Sequence, residues 1–413
     1  MAVPSILPAQ RTGSVPPIPP VGVTLAEARV AARADSPLLA AAEADLAVAR
    51  GALVVARTYP FNPEVEIEAA SRSGGAGSSS DRGIGVEQEV EIAGQRGKRI
   101  AVAERTVAAA EARRDRRQAE VDASVDRTFG AAVAARELAA FAALAAELAE
   151  KLRSFEEQRL EAGAGTQVDV NFARAAAARA KSRLASARAA EAEARAELGE
   201  AIGWAQPTSP QAAGDFPPRP SSLPELPALV AAALPRRGDL QALREEVARA
   251  DRTVTLERAL RVPNLRVGGF SRREEGDEIS GASFVVPVPL FNRNRGAVEQ
   301  ALAAAARARA DLATAELAAR REIEAAYAHY RGAADAVAAL QSGAVGGLEE
   351  SLDLLQQSFE AGKIGSRDVL LFRRELVEAR REQIEAQAEL AAAVADLELA
   401  GAGSLQSTDE ETP

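Results

Sequence analysis

The sequence predicts a mainly α fold with a small β part: long α-helical hairpins joined to four short strands. Three observations predict it. One stretch occurs twice, as Glu161-Ala162-Gly163-Ala164-Gly165-Thr166-Gln167-Val168-Asp169-Val170 and as Glu360-Ala361-Gly362-Lys363-Ile364-Gly365-Ser366-Arg367-Asp368-Val369-Leu370. Both copies sit between long Ala-rich segments whose apolar residues recur at helical spacing. Each copy of the chain also holds two short runs that alternate apolar and charged residues, the period of a half-buried strand. Gly at a helix C′ position takes φ > 0 at little cost, and Thr166 or Ser366 can accept the orphan N–H groups that follow. Each stretch therefore reads as the tight tip of a helical hairpin. Gly163 and Gly362 stand 199 positions apart, and the rest of the chain repeats at nearly that interval. A duplicated unit of this kind can form one body, where 413 residues would otherwise suggest two or three domains.

Residues 1–23 are an extended Pro-rich N-terminal segment with six prolines. The first repeat is 24–206. Thr24 and Glu27 have capping-box spacing. Leu25, Ala28, Ala32, Leu39, Leu46 and Ala49 then carry a helical stripe to about Arg57, interrupted at Pro37. Over 62–92 the period becomes two. Val65, Ile67 and Ala69 alternate with Glu64, Glu66 and Glu68. Ile84, Val86, Val90 and Ile92 alternate with Glu87, Glu89 and Glu91, after a Gly/Ser-rich loop from Ser71 to Asp81. This is a β-hairpin with one apolar and one charged face. A helix from about Lys98 to Ala162, roughly 100 Å at its standard rise, reaches the tip at 161–167. A second helix returns to about Ile202. Residues 207–224, with Pro217-Pro218, form a connector.

The second repeat, 225–402, restores the same order. A helix over Leu226–Leu260 precedes a β-hairpin over 263–290, whose returning strand lines Phe284, Val286, Val288 and Leu290 on one face. A long helix, the tip at 360–366 and a helix to about Ala400 follow. Residues 403–413 are expected to be a disordered acidic tail. In each copy two helices of about 35 residues, end to end, match one of about 65, as a rod of uniform length requires.

Composition removes several classes of function. The formal charge of −10 disfavours nucleic acid as a partner. There is no Cys, so thiol chemistry and a lipidated Cys are excluded. No window approaches about 18 uncharged apolar residues, so no membrane-spanning helix is expected. No signal peptide is visible in the first residues. With one His and one Met, a metal site within the protein is not expected. No phosphate loop or nucleophile–base pair stands out, so no enzyme activity and no cofactor are expected.

The strands, about 9 residues each, are long enough to cross a hydrocarbon core when tilted. Four strands cannot close a membrane barrel, which needs about eight, and open edges are excluded in lipid. Strands that span a membrane must therefore share a barrel with sister chains. The helices are rich in Ala, which permits close packing side by side. The inference is a hollow assembly, a β-barrel in the membrane continued by a tube of helices. The alternative is a soluble periplasmic coiled-coil scaffold or adaptor, for which one helical hairpin with small β-domains would be the usual pattern.

Over Thr24 to Ala400 the chain resembles the TolC-like outer-membrane efflux proteins. The resemblance rests on Thr24-Leu25-Ala26-Glu27-Ala28, the paired tips, the strand starts after Asn62-Pro63 and Pro263-Asn264, and Pro287-Val288-Pro289-Leu290-Phe291-Asn292-Arg293-Asn294-Arg295-Gly296. The last run is similar to the CzcC-like branch, which serves cobalt–zinc–cadmium efflux. The resemblance implies a homotrimer, with a twelve-stranded transmembrane β-barrel and a periplasmic α-barrel. It implies a periplasmic adaptor (membrane fusion protein) and an inner-membrane pump of the resistance-nodulation-division type as partners. It places Arg367 and Asp368, with Asp169, at the periplasmic gate, where many members carry a second Asp at the place of Leu371. It assigns adaptor contact to the tip glycines Gly163, Gly165, Gly362 and Gly365. If the apolar strand face meets lipid, then Glu64, Glu66, Glu68, Glu87, Glu89 and Glu91 line the pore and favour cations. Tyr59, Phe61, Phe270 and Phe291 flank the strands as candidates for an interfacial girdle.

Overall fold

The computed structural model describes residues 22–74, 77–220, 222–274, 277–343, 354, 357–358 and 366–404. In chain order the elements are β1 (Gly22–Val23), α1 (Leu25–Asp35), α2 (Pro37–Arg57), β2 (Glu64–Gly74), β3 (Gly77–Val90), α3 (Gln95–Glu161) and α4 (Gln167–Ala201). The second half gives β4 (Gln211–Ala212), α5 (Leu226–Arg236), α6 (Gly238–Ala259), β5 (Leu265–Glu274), β6 (Asp277–Val285), α7 (Arg295–Gly343) and α8 (Ser366–Ala400). The second tip, with Gly362 and Gly365, lies outside the described residues.

Local chemistry sets the helix ends. Thr24 N–H donates to Glu27 Oε2 at 2.8 Å and Glu27 N–H donates to Thr24 Oγ1 at 3.3 Å, the reciprocal capping box. Pro37 occupies the start of α2, and extended Ser36 (φ −66°, ψ 119°) divides the helix in two. The corresponding break in the second half falls at Arg237 (φ −61°, ψ 120°) and divides the single helix expected over Leu226–Leu260. Pro235 lies in the last turn of α5 rather than at the break. Gly238 follows because a Cβ there would stand 2.8 Å from Ala112 O.

Two compact units emerge, and each takes segments from both repeats. The first comprises Ser36–Ser124, Arg219–Asp335 and Ala393–Pro413. It contains a four-stranded antiparallel sheet in the order β2-β3-β5-β6. The helices beside it pack through small residues: Ala250, Val254, Ala301 and Ala305 form one buried cluster, and Leu46, Ala49 and Ala110 another. The second unit comprises Met1–Asp35, Val125–Pro218 and Ala336–Ala392. There β1 pairs in parallel with β4, and Arg136 donates to Ala212 O at 2.6 Å and to Gly214 O at 2.8 Å. Buried Asp126 accepts from Arg29 Nη2 at 2.6 Å.

Three expectations change. The ladder between β2 and β3 continues to Gly74↔Gly77, through residues whose Ser/Gly composition reads as loop, because main-chain pairing alone sustains a two-stranded ribbon there. β6 ends at Val285 rather than near Leu290: Pro287 and Pro289 cannot donate to a ladder, although apolar alternation continues past them. Finally, an 18-residue window of α3 has a mean hydropathy of 1.5 with at most two charged residues, enough by composition to cross a membrane. Alanine raises hydropathy without bulk, and 39% of that window is buried within the protein.

Candidate functional site

Cross-strand register assigns every side chain of the sheet to a face, since directly paired residues point the same way. One face carries Val65, Val86 and Ala282 in one row and Ile67 and Ile84 in the next. Among the described residues these apolar side chains have no cover: Val65 is 61% exposed, Ile67 77% and Phe284 73%. Among the described residues the outer edges of β2 and β6 are both unpaired in the sheet order. Such a surface is stable against lipid and closes only by pairing with further strands.

The opposite face carries Glu64, Glu66, Glu68, Glu87 and Glu89, with Glu64 directly opposite Glu87. Ser283 Oγ donates to Glu87 Oε1 at 3.2 Å and Asn264 Nδ2 donates to Glu89 Oε1 at 2.7 Å. Arg266 pairs across the ladder with Glu89, whereas Arg82 falls on the apolar side. Glu91 lies just beyond β3 and is nearly buried, with both carboxylate oxygens taken by the Arg99 guanidinium. Four glycines, Gly83, Gly85, Gly268 and Gly281, share the glutamate face. Gly268 is needed because a Cβ there would stand 2.6 Å from Ser283 Oγ and 2.8 Å from Glu87 Cγ. Phe270 lies on this face too, in the row of Glu66 and Gly85, and not on the apolar face. Tyr59 and Phe61 meet edge to face at 6.1 Å, and Tyr59 OH donates to Glu89 O at 2.8 Å. Phe291 is fully exposed.

The first tip is a closed turn. Gly163 has φ +74°, and Ala164 N–H bonds Arg159 O at 2.9 Å while Gly163 N–H bonds Leu160 O at 3.0 Å, the Schellman pattern. Gly165 is small for a steric reason, since a Cβ would meet Leu160 N at 3.1 Å. Thr166 caps α4: its Oγ1 accepts from Asp169 N–H at 3.2 Å and donates to Asp169 Oδ2 at 2.7 Å. Asp169 is thereby engaged in ending a loop and starting a helix. Sequence reasoning missed Arg159, whose Nη2 donates to Ala164 O at 3.0 Å and braces the turn. Arg367 and Asp368 lie in the first turn of α8, and their side chains lie outside the described residues.

The sequence profile of the family "Outer membrane efflux protein" matches residues 28–204 and again 229–403. The chain is 28% identical over 344 residues, 83% of its own length and 81% of the relative's, to the cobalt-zinc-cadmium resistance protein CzcC of Cupriavidus metallidurans. Its fold superposes on CusC with a TM-score of 0.75 at 16% identity, covering 93% of each chain. It superposes on the open state of the MtrE outer membrane channel of Neisseria gonorrhoeae with a TM-score of 0.72 at 20% identity, covering 92% of this chain and 89% of that one. Two matches of one family profile, on the two halves of a TolC-like fold, establish that the chain belongs to the outer membrane efflux protein family and is an outer-membrane efflux channel, a transport duct and not an enzyme.

Proposed function

We propose that three copies of this chain form the exit duct of a tripartite efflux system. Each contributes four strands to one transmembrane barrel, and the assembly docks through its hairpin tips on a periplasmic adaptor and an inner-membrane pump. The observation that carries this is the sheet, whose apolar face is uncovered and whose two edges are free among the described residues. The glutamate face then lines the lumen, with Glu64, Glu66, Glu68, Glu87 and Glu89 giving the open channel a weak preference for cations. Glu91 contributes less, because Arg99 neutralises it. Divalent metal cations are the proposed cargo class, by likeness to the cobalt-zinc-cadmium relative. Arg367 and Asp368 are the proposed periplasmic gate, with Asp169 beside them. Leu371 stands three residues after Asp368, so the gate ring carries one carboxylate per copy at that level.

Native mass spectrometry of the full chain extracted in detergent is expected to give the mass of three copies. Monomer alone would refute the shared barrel. For the cargo, deletion of the gene is expected to sensitise cells to divalent cobalt, zinc or cadmium.

A further inference from the structure

The glutamate face of the sheet contains one feature that an acidic pore wall does not need. Phe270 and Arg272 project from β5 on that face, among the carboxylates. The phenyl ring lies flat to the wall. A Cβ on Gly281, directly across the ladder, would stand 2.8 Å from Phe270 Cζ and 3.1 Å from its Cε1, so only glycine leaves room for the ring. The Arg272 guanidinium sits over the ring, with Cζ 5.1 Å from the centroid, in reach of a cation–π contact. Its Nε is 3.8 Å from Glu274 Oε1. On the neighbouring strand Gly83 separates Arg272 from Glu68: a Cβ there would be 3.3 Å from Arg272 Cβ and 3.5 Å from Glu68 Cβ. Strands β3 and β6 thus withdraw to glycine beside the ring, while β2 and β5 carry the charges.

We propose that Phe270, seated on Gly281, holds Arg272 as a fixed positive step in the wall of the duct, and that this pair sets the local ion selectivity of the barrel. The step rests on the glutamate face being the lumen. A free arginine side chain samples many rotamers and its charge is spread through the water of a wide pore. Stacked on a ring that is itself pinned to the sheet, the charge stays at one level of the wall. Each copy contributes one such step, opposing the attraction that the glutamates exert on cations. Phe270 is the positioning residue and Arg272 the selectivity residue.

The test uses a thiol at Glu68→Cys in the full chain, assembled in lipid vesicles, as a local probe of potential. Rates of modification are measured with a trimethylammonium-ethyl and a sulfonatoethyl methanethiosulfonate, and the anionic-to-cationic rate ratio is the readout. The probe lies roughly 10 Å from Arg272, two strand spacings away, within the ~30 Å screening length of about 10 mM salt. Arg272→Gln is expected to lower the ratio about threefold, the scale of one charge at that range, and the difference is expected to vanish at about 1 M salt. Phe270→Ala and Gly281→Val are expected to move the ratio toward the Arg272→Gln value, whereas Arg272→Lys keeps it. A ratio unchanged in Arg272→Gln, or lowered in Arg272→Gln but unchanged in Phe270→Ala, would overturn the proposal. The lumen assignment has its own control: a thiol at Val65→Cys, on the apolar face, is expected to be unreactive in vesicles. Labelling there as fast as at position 68 would remove that assignment, and the step with it.

Discussion

Arg237 is 1% exposed and carries a charge that water would otherwise solvate. It is held by four hydrogen bonds. Nε and Nη2 donate to the Asp239 carboxylate at 3.1 and 2.7 Å, Nη2 donates to Glu322 Oε2 at 2.7 Å, and Nη1 donates to Ala400 O at 3.3 Å. Arg116 Nη1 takes the preceding carbonyl, Leu399 O, at 3.1 Å. Two guanidinium groups thus cap the C-terminus of α8, where carbonyls lack intrahelical partners and the helix dipole favours cations. Burial pulls the Arg237 pKa down, but its hydrogen bonds to Asp239 and Glu322 outweigh that and hold it above the ordinary value. Burial likewise raises Asp239, and the Arg237 bond outweighs it to leave Asp239 below its ordinary value. Arg237→Ala would strand buried carbonyl and carboxylate groups, and is expected to cost about 3–5 kcal/mol, read as a lower unfolding temperature in detergent. Because folded Asp239 titrates below its unfolded value near 3.9, its contribution is present above that pH and is lost as pH falls through the folded pKa. Asp239→Asn is therefore expected to be less stable than wild type at pH 6 and to converge with it in thermal scans taken toward pH 3. None of this was legible in the sequence. The run Arg237-Gly238-Asp239 lines up with Ser36-Pro37 of the first repeat, but nothing in it marks the arginine as buried.

At the scale of the elements, the signals with a local cause could be read. Thr24 and Glu27 announce their capping box, Gly163 its left-handed turn, and the alternation around Ile67 and Ile84 the strand faces. What escaped depends on partners distant in sequence. The α5–α6 break follows from the contact of Gly238 with Ala112, and the place of Phe270 on the glutamate face follows from a register that pairs it with Gly85 and Gly281. The β6 end was in principle legible, since Pro287 and Pro289 are in the sequence. Continued apolar spacing over Val286, Val288 and Leu290 outweighed them. The strand faces give a paired prediction at this scale. Ile67→Arg sets a charge on the lipid side and is expected to cost up to about 2–4 kcal/mol near mid-membrane. Glu66→Arg, one residue away on the wet side, is expected to leave assembly unchanged. Heat-modifiable mobility on gels after folding into vesicles would check both, and equal damage from the two substitutions would contradict the facing.

The whole molecule is a duplication whose copies do not fold as separate bodies. Each compact unit is assembled from segments of both repeats, so neither repeat contains a complete unit. In the sheet the copies meet where β3 pairs with β5, from Arg82↔Arg273 to Val90↔Leu265. That seam is specific. Gly268 stands where a Cβ would collide with Glu87 Cγ and Val86 O, so β5 offers β3 a flat edge that its own repeat does not. A second copy of β2 in that position would put Glu68 at the place of Gly268, directly against Glu87. A chain cut within the connector, near Pro220, therefore gives a decisive experiment. The fragment 22–220 expressed alone keeps β2 and β3 but leaves β3 without its partner, and an open edge is not tolerated in lipid. The fragment 222–404 alone leaves the β5 edge open in the same way. Neither is expected to reach the outer membrane as a heat-modifiable assembly. Expressed together, the two fragments can restore the β3–β5 ladder and both compact units, and are expected to recover the assembly of the intact chain, because a cut near Pro220, beside exposed Pro218 and Arg219, removes continuity and leaves the packed part of the connector around Ala212 intact. A stable membrane assembly formed by 22–220 alone would show that a repeat can seal itself, and that the pairing of unlike copies is not what closes the barrel.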